Sequence, residues 1–278
     1  SPPTGTQFLQ AVGCAMASVR KHGPVNGKGA DFEVTVVTAG DGTTSQGDFH
    51  EALNWASREQ APVVFLIEDN GFAISVPVAD QTPNGAVAHL GRGYDGLETF
   101  DVDGCDFAAS FDVMGKAIER ARRGEGPSLV VADVVRLGSH SNSDDQRKYR
   151  SESDLAHDKA RDPIAQLRKA LANDGVDTAA IDTEIKAFID AEAERAERAP
   201  MPARDTSTLW VTSGKPEPAY VAPKLGGERS DRSEEIVIVD AINRALAEEM
   251  QRHARVLVFG EDVAGAKGGV FTATRGVT

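Results

Sequence analysis

The sequence predicts an α/β protein: a parallel sheet covered by helices on both faces. Three observations predict it. Short, nearly continuous apolar runs recur along the chain, as strands buried on both faces require. Helical segments alternate with those runs. Glycine-bearing loops follow two of the runs, at the strand ends where open parallel sheets hold their ligands.

The elements follow in order. Residues 6–22 read as a helix rich in small residues (Ala11, Gly13, Ala15, Ala17), which permit close packing. Glu33 to Thr38, E-V-T-V-V-T, is a β-branched buried strand, and Gly40-Asp41-Gly42 is the loop after it. Ser45 to Gln60 is helical. Pro62 to Ile67, P-V-V-F-L-I, is a second buried strand, followed by the loop Glu68-Asp69-Asn70-Gly71. Glu98 to Val102 is a third strand and Phe107 to Arg123 an amphipathic helix, ended by Gly126-Pro127. Ser128 to Arg136 is a fourth strand. Past Tyr149 the character changes: Asp162-Pro163 caps a helix to about Ala172, and Asp177 to Glu197 is a charged helix with a solvated face. Residues 200–232 hold five prolines and three glycines and read as a linker. Glu234 to Gln251 is then a helix and Val256 to Phe259 a strand, the start of a second α/β unit.

A chain of 278 residues holds one large α/β domain or two small ones. The 43 acidic and 30 basic side chains give a net charge of −13, which excludes binding to nucleic acid by phosphate neutralisation. No apolar run approaches the ~18 residues of a membrane span. The opening has no charged-then-apolar leader, so a cytoplasmic protein is expected, or a mitochondrial matrix one if the source is eukaryotic. Cys14 and Cys105 form no metal or redox spacing and read as reduced, partly buried thiols. The chain opens without methionine and closes just after an apolar run, so both ends read as cuts through a longer polypeptide.

The chemistry concentrates at the two glycine loops. Asp41 offers a carboxylate and Asn70 an amide oxygen, 29 positions apart, which is room for one helix and one strand. Both are hard oxygen ligands suited to Mg²⁺, which completes its shell with phosphate and water. Gly40 and Gly42 let a phosphate approach the backbone, and a helix opening at about Thr43 presents free amides to it. Taken singly, G-D-G is also an ordinary strand-to-helix turn and Asn-Gly a common turn. Together, after two apolar strands, they resemble the thiamine diphosphate motif.

The resemblance extends to G-D-G-T-T-S-Q-G-D-F-H-E-A-L-N-W-A at 40–56, I-E-D-N-G-F-A-I-S-V-P at 67–77 and R-L-G-S-H-S-N-S-D-D-Q-R-K-Y-R at 136–150. These are similar to the α-type half of the decarboxylating first component of 2-oxo acid dehydrogenase complexes. Residues 234–250 and 256–271 resemble the start of its β-type half. The order implies a fused subunit with the thiamin diphosphate-binding fold. Its parts are an α-type diphosphate-binding domain at 1–199, a linker at 200–233, and the start of a β-type pyrimidine-binding domain at 234–278.

By position, the resemblance implies that Asp41, Asn70 and the carbonyl of Phe72 hold Mg²⁺ against the diphosphate. The amides of Gly42 and Thr43 touch its oxygens. His140 assists acyl transfer to a lipoyl group, although by composition it reads as a solvated loop residue. Arg147, Lys148, Tyr149 and Arg150 read as a loop anchored by ion pairs with Asp144 and Asp145. Ser141 and Ser143 fall where some relatives are phosphorylated. Ser1, Pro3, Thr6 and Gln7 match a segment that holds K⁺ in branched-chain members; a helix N-cap at Thr4 or Thr6 is the alternative. The family's activating Glu would fall beyond Thr278, so these residues alone are expected to be inactive.

The implied activity is oxidative decarboxylation of a 2-oxo acid with reductive acylation of a lipoyl group on an acyltransferase partner. The implied assembly is a homodimer or higher oligomer. The pattern S-x-S-D-D-x-x-x-Y-R at 141–150 favours a branched-chain substrate such as 2-oxoisovalerate. Pyruvate or acetoin dehydrogenases, or a non-catalytic interaction subunit retaining the fold, are the alternatives. The charge distribution agrees with a site: residues 31–110 hold 14 acids against 2 bases, whereas 111–150 hold 6 against 8.

Overall fold

The computed structural model describes residues 4–23, 32–209, 235–259, 263 and 273–277. The expected apolar runs become strands; the first two are displaced slightly toward their carboxyl ends, and the fourth stops at Asp133 instead of Arg136. They are β1 (Thr35–Gly40), β2 (Val63–Asp69), β5 (Glu98–Asp103) and β6 (Ser128–Asp133). A two-residue-per-strand hairpin, β3 (Phe72–Ala73) and β4 (Val76–Pro77), lies between β2 and β5 in sequence. Among the described residues the four longer strands form one parallel sheet in the order β1-β2-β6-β5.

The alternation of β2 explains why its sequence is apolar throughout. Val63, Phe65 and Ile67 enter one core, and Val64 enters the other. The first core lies under α1 (Gln7–His22) and α2 (Gly47–Glu59), where Phe8, Phe49, Leu53 and Phe65 are fully buried. The rings of Phe8 and Phe49 stand 5.0 Å apart and those of Phe8 and Phe65 6.2 Å, in the tilted geometry that aromatic pairs prefer. The second core lies under α4 (Phe107–Arg122), whose Ala117 and Ala121 meet Val64, Val102 and Val130. Asp106 caps α4 by accepting from the Ala109 amide at 3.0 Å. Both faces of the sheet are therefore covered.

The chain divides into two compact units, the first 199 residues and the remainder. In the first unit, a short helix α3 (Val78–Gln81) follows the hairpin. Helix α5 (Glu152–Ala160), which the apolar pattern did not suggest, is opened by a reciprocal capping box between Ser151 and Asp154. Asp162 caps α6 (Pro163–Asn173) as expected, accepting from Ile164 and Ala165. The charged helix α7 (Ala179–Arg198) is solvated, with Lys186–Asp190 and Arg198–Glu194 pairs one turn apart.

In the second unit α8 (Ile238–Arg252) forms where a helix was expected, and its Asn243 amide donates to the carbonyls of Ala273 and Arg275 at 3.0 Å each. Val256 to Phe259, expected as a strand, is not one. A strand needs a neighbour for its backbone groups, and none is present among the described residues. Most of the expected linker, residues 210–234, lies outside the described residues. Both cysteines are free; Cys105 is buried but Cys14 is exposed, so the expectation of burial holds for one. Among the described residues no helix is long and apolar enough to cross a membrane.

Phe49 sits where α1, α2 and the sheet meet. Phe49→Ala should cost about 3–5 kcal/mol, the usual range for emptying a buried aromatic site, and denaturant unfolding of the two proteins measures it.

Candidate functional site

The site is built by register. Gly40 at the end of β1 pairs with Glu68 near the end of β2, so the residues that follow each strand emerge side by side. Asp41 is only 1% exposed. Residues Asp41–Ser45 make a 3-10 turn, closed by the Thr44 hydroxyl donating to the Asp41 carbonyl at 2.7 Å. Gln46 is extended and α2 starts only at Gly47. The helix expected to open at about Thr43 is therefore a separate turn, and Gly42 and Thr43 lie at its start.

The Asp41 carboxylate is held at one oxygen only. Oδ2 accepts from Gln81 Nε2 at 2.7 Å, while Oδ1 is buried without a hydrogen-bond partner. The Asn70 Oδ1 is also buried and unpartnered. Unpaired buried acceptors are costly, and two on neighbouring strand ends mark a place for a cation. Burial pushes the Asp41 carboxyl above the usual carboxylate range, opposed by the backbone amides of Asp41 and Asn70, the Gln81 amide and the Arg136 charge. Asp69 is raised too, by burial and then by the charges of Asp41, Asp133 and Asp101; its Oδ1 accepts from the Gly71 amide at 2.9 Å.

Gly42 has a packing reason as well. A Cβ there would stand 2.5 Å from the Ala73 Cβ. Phe72 opens the hairpin opposite Pro77, and the Val78 amide donates to the Gly71 carbonyl just outside that pair at 2.8 Å. The Phe72 ring lies 6.2 Å from that of Tyr149 and under the guanidinium groups of Arg136 (5.7 Å) and Arg150 (5.0 Å).

His140 lies apart, on an exposed loop beyond β6. Its backbone amide donates to Asp144 Oδ2 at 2.9 Å, the same oxygen takes the Tyr149 hydroxyl at 2.7 Å, and Arg136 Nη2 donates to that hydroxyl at 2.8 Å. The loop is thus anchored to the Phe72 cluster. Arg147 pairs with Asp145 at 2.8 Å as expected, but Arg150 pairs with Asp158 at 2.5 Å instead. Ser141 and Ser143 share a hydrogen bond of 3.1 Å. At the start of α1, Gly5 packs on Gln46, and Gln7 Oε1 accepts from the Gly5 amide at 3.1 Å. Thr6 stands at the N-cap position without a side-chain cap bond. Ser1 and Pro3, like Glu261 and Asp262, lie outside the described residues.

Several functional side chains escaped the sequence reading. Gln81 and Arg136 approach Asp41 from distant segments that no spacing rule connects. Arg136 Nε and Nη1 are buried without hydrogen-bond partners, while its Nη2 donates to Tyr149. A cleft of about 500 Å³ opens beside Asn70 and Phe72, lined also by Asp69, Asp133, Arg150 and Arg161. Arg161 bridges Asp103 (2.9 Å) and Asp133 (3.1 Å), and these bonds hold its guanidinium firmly charged. Among the described residues no three His, Cys, Asp or Glu side chains converge as a metal set. Few protein oxygens plus phosphate and water is how Mg²⁺ is usually held, and the Asp41–Asn70 pair fits it.

The family model described as "Dehydrogenase E1 component" matches residues 1–205. The chain belongs to the dehydrogenase E1 component family. Among members of that family, 3-methyl-2-oxobutanoate dehydrogenase subunit alpha of Mycobacterium tuberculosis is 41% identical over 67% of this chain and 48% of its own length. The 2-oxoisovalerate dehydrogenase subunit alpha of Bacillus subtilis is 34% identical over 76% of this chain and 62% of its own. The pyruvate dehydrogenase E1 component subunit alpha of Staphylococcus aureus is 36% identical over 62% and 44% respectively. The chain thus spans about half the length of the curated relatives it matches. The resemblance read from the motifs is borne out at the level of the family.

Two tests follow from this geometry. Gly42→Ala should destabilise the loop by about 1–3 kcal/mol through overpacking, and Ala73→Gly in the same chain should recover part of the loss; a thermal-unfolding double-mutant cycle checks both. Asp41→Asn bears on pH. A carboxyl raised by folding contributes stability below its unfolded value and loses it as pH rises through the folded one. With metal chelated, Asp41→Asn should therefore be more stable than wild type at neutral pH, and the gap should close on acidification through the carboxylate range. Melting temperatures across pH measure it.

Proposed function

We propose that this chain carries the α-type, diphosphate-binding half of a thiamine diphosphate- and Mg²⁺-dependent 2-oxo acid dehydrogenase first component. The substrate would be a branched-chain 2-oxo acid such as 2-oxoisovalerate. The observation that carries the reading is the pair of unpartnered buried oxygens, Asp41 Oδ1 and Asn70 Oδ1, in a family member. Arg136, with two unpartnered N–H groups and its charge felt at Asp41, supports an anionic group beside that pair.

When bound, thiamine diphosphate supplies a carbon nucleophile for the ketone carbon of the 2-oxo acid and an electron sink for the bond to the departing CO₂. The protein's part is to bind and orient. Asp41, Asn70 and the Phe72 carbonyl hold Mg²⁺. The Gly42 and Thr43 amides take diphosphate oxygens. The exposed loop position of His140 suits a residue that meets a lipoyl group brought by an acyltransferase partner and assists acyl transfer. Ser1, Pro3, Thr6 and Gln7 hold K⁺ in this reading. Residues 1–199 are the α-type domain, 200–233 a linker and 234–278 part of a β-type pyrimidine-binding domain, in a cytoplasmic homodimer or higher oligomer.

Two relatives named for the same branched-chain acid, together with S-x-S-D-D-x-x-x-Y-R at 141–150, favour that substrate over pyruvate. Calorimetry on the protein in its complete assembly tests the cofactor: binding of thiamine diphosphate should require Mg²⁺. Absence of binding would leave a non-catalytic interaction subunit. Initial rates with a lipoyl domain as acceptor should then be higher on 2-oxoisovalerate than on pyruvate, and the reverse order would assign pyruvate.

A further inference from the structure

Among the described residues Gln81 is the one side chain that hydrogen-bonds the Asp41 carboxylate, and the loop that carries it fixes its placement. The amide stands 2.7 Å from Oδ2 and must present its N–H₂, since its carbonyl would repel the carboxylate. The base of Gln81 is fixed by a closed loop. The Val78 amide donates to the Gly71 carbonyl at 2.8 Å, and the Thr82 amide to the Val78 carbonyl at 2.9 Å; Thr82 is itself buried. The same loop begins with Asn70 and Phe72. Gly71 at φ +78° and Ile74 at φ +57° bend it back on itself, the second against the preference of a β-branched residue. One short stretch thus supplies the Asn70 oxygen, the Phe72 carbonyl and the amide that orients Asp41.

We propose that Gln81 is a positioning residue that sets cation selectivity: by occupying Asp41 Oδ2 it leaves Oδ1 alone to bind, and so favours a small octahedral ion over a larger one. The inference rests on the Mg²⁺-diphosphate reading above. Its chemistry is general. Mg²⁺ takes one oxygen from each ligand at short distance, whereas Ca²⁺ accepts both oxygens of a carboxylate in a looser shell. With Oδ2 held by the Gln81 amide, chelation by Asp41 through both oxygens is disfavoured. With Oδ2 released, it can turn and do so.

The test is cation titration by calorimetry of the complete assembly at saturating thiamine diphosphate, with Mg²⁺ or Ca²⁺ as the probe and no turnover. Gln81→Met keeps the length and removes the donor. Its Mg²⁺ affinity should fall about 10- to 100-fold, the usual effect of losing a group that orients a ligand, while Ca²⁺ affinity holds or rises. Gln81→Asn keeps the amide but falls short of Asp41, and should shift the ratio the same way; it serves if the first variant does not fold. An equal fall for both ions, or an unchanged ratio, overturns the role of Gln81 while leaving the site reading intact. Failure of the wild-type protein to bind either ion with the cofactor overturns both.

Discussion

The pairing of Gly40 with Glu68 across β1 and β2 brings the turn after one strand beside the loop after the other, each carrying a buried oxygen without a hydrogen-bond partner. Neither oxygen would be tolerated there for stability alone, because desolvated acceptors without donors oppose folding. Large, well-packed cores on both faces of the sheet let the rim carry that cost. The surrounding details follow from the same juxtaposition. The turn after β1 is pulled tight by Thr44, Gly42 loses its side chain to make room for Ala73, and the loop after β2 closes so that Gln81 reaches back to Asp41.

A second layer of charge lies beside this pair. Asp69, Asp133 and Asp103 stand in register at three successive strand ends, and Arg161 spans Asp133 and Asp103. Beneath Phe72, Arg150 meets Asp158 with its side chain almost wholly buried. Breaking one member of such a pair leaves an uncompensated charge in low dielectric, so the pair constrains the path of the chain between β6 and α5 more than it adds net stability. Part of the acidic excess seen in composition thus sits at the strand ends, where Arg161, from a segment that follows β6, answers Asp103 and Asp133.

The parts legible in the sequence are those where burial on two faces or a turn residue leaves a pattern. V-V-F-L-I announces β2, and Asp162-Pro163 announces α6. Edge strand β5 is more polar, E-T-F-D-V-D, and was legible mainly from its flanks. Helix α5 has almost no apolar stripe, so only Ser151 and Asp154 three residues apart could have marked it. The run V-L-V-F at 256–259 has strand composition, but composition does not supply a pairing partner. At the site, Asp41 and Asn70 were visible because each follows a strand. Gln81 and Arg136 were not, because their approach to Asp41 is a product of tertiary folding.

β2 is hydrogen-bonded on both sides, whereas the hairpin after it has two residues in each strand and turns through an unfavourable Ile74. In the language of amide exchange, these are separate cooperative units. The amides of β2 should open only when the sheet unfolds, and those of 72–77 at lower cost. The Phe72 carbonyl thus rides on a unit whose opening the sheet does not govern.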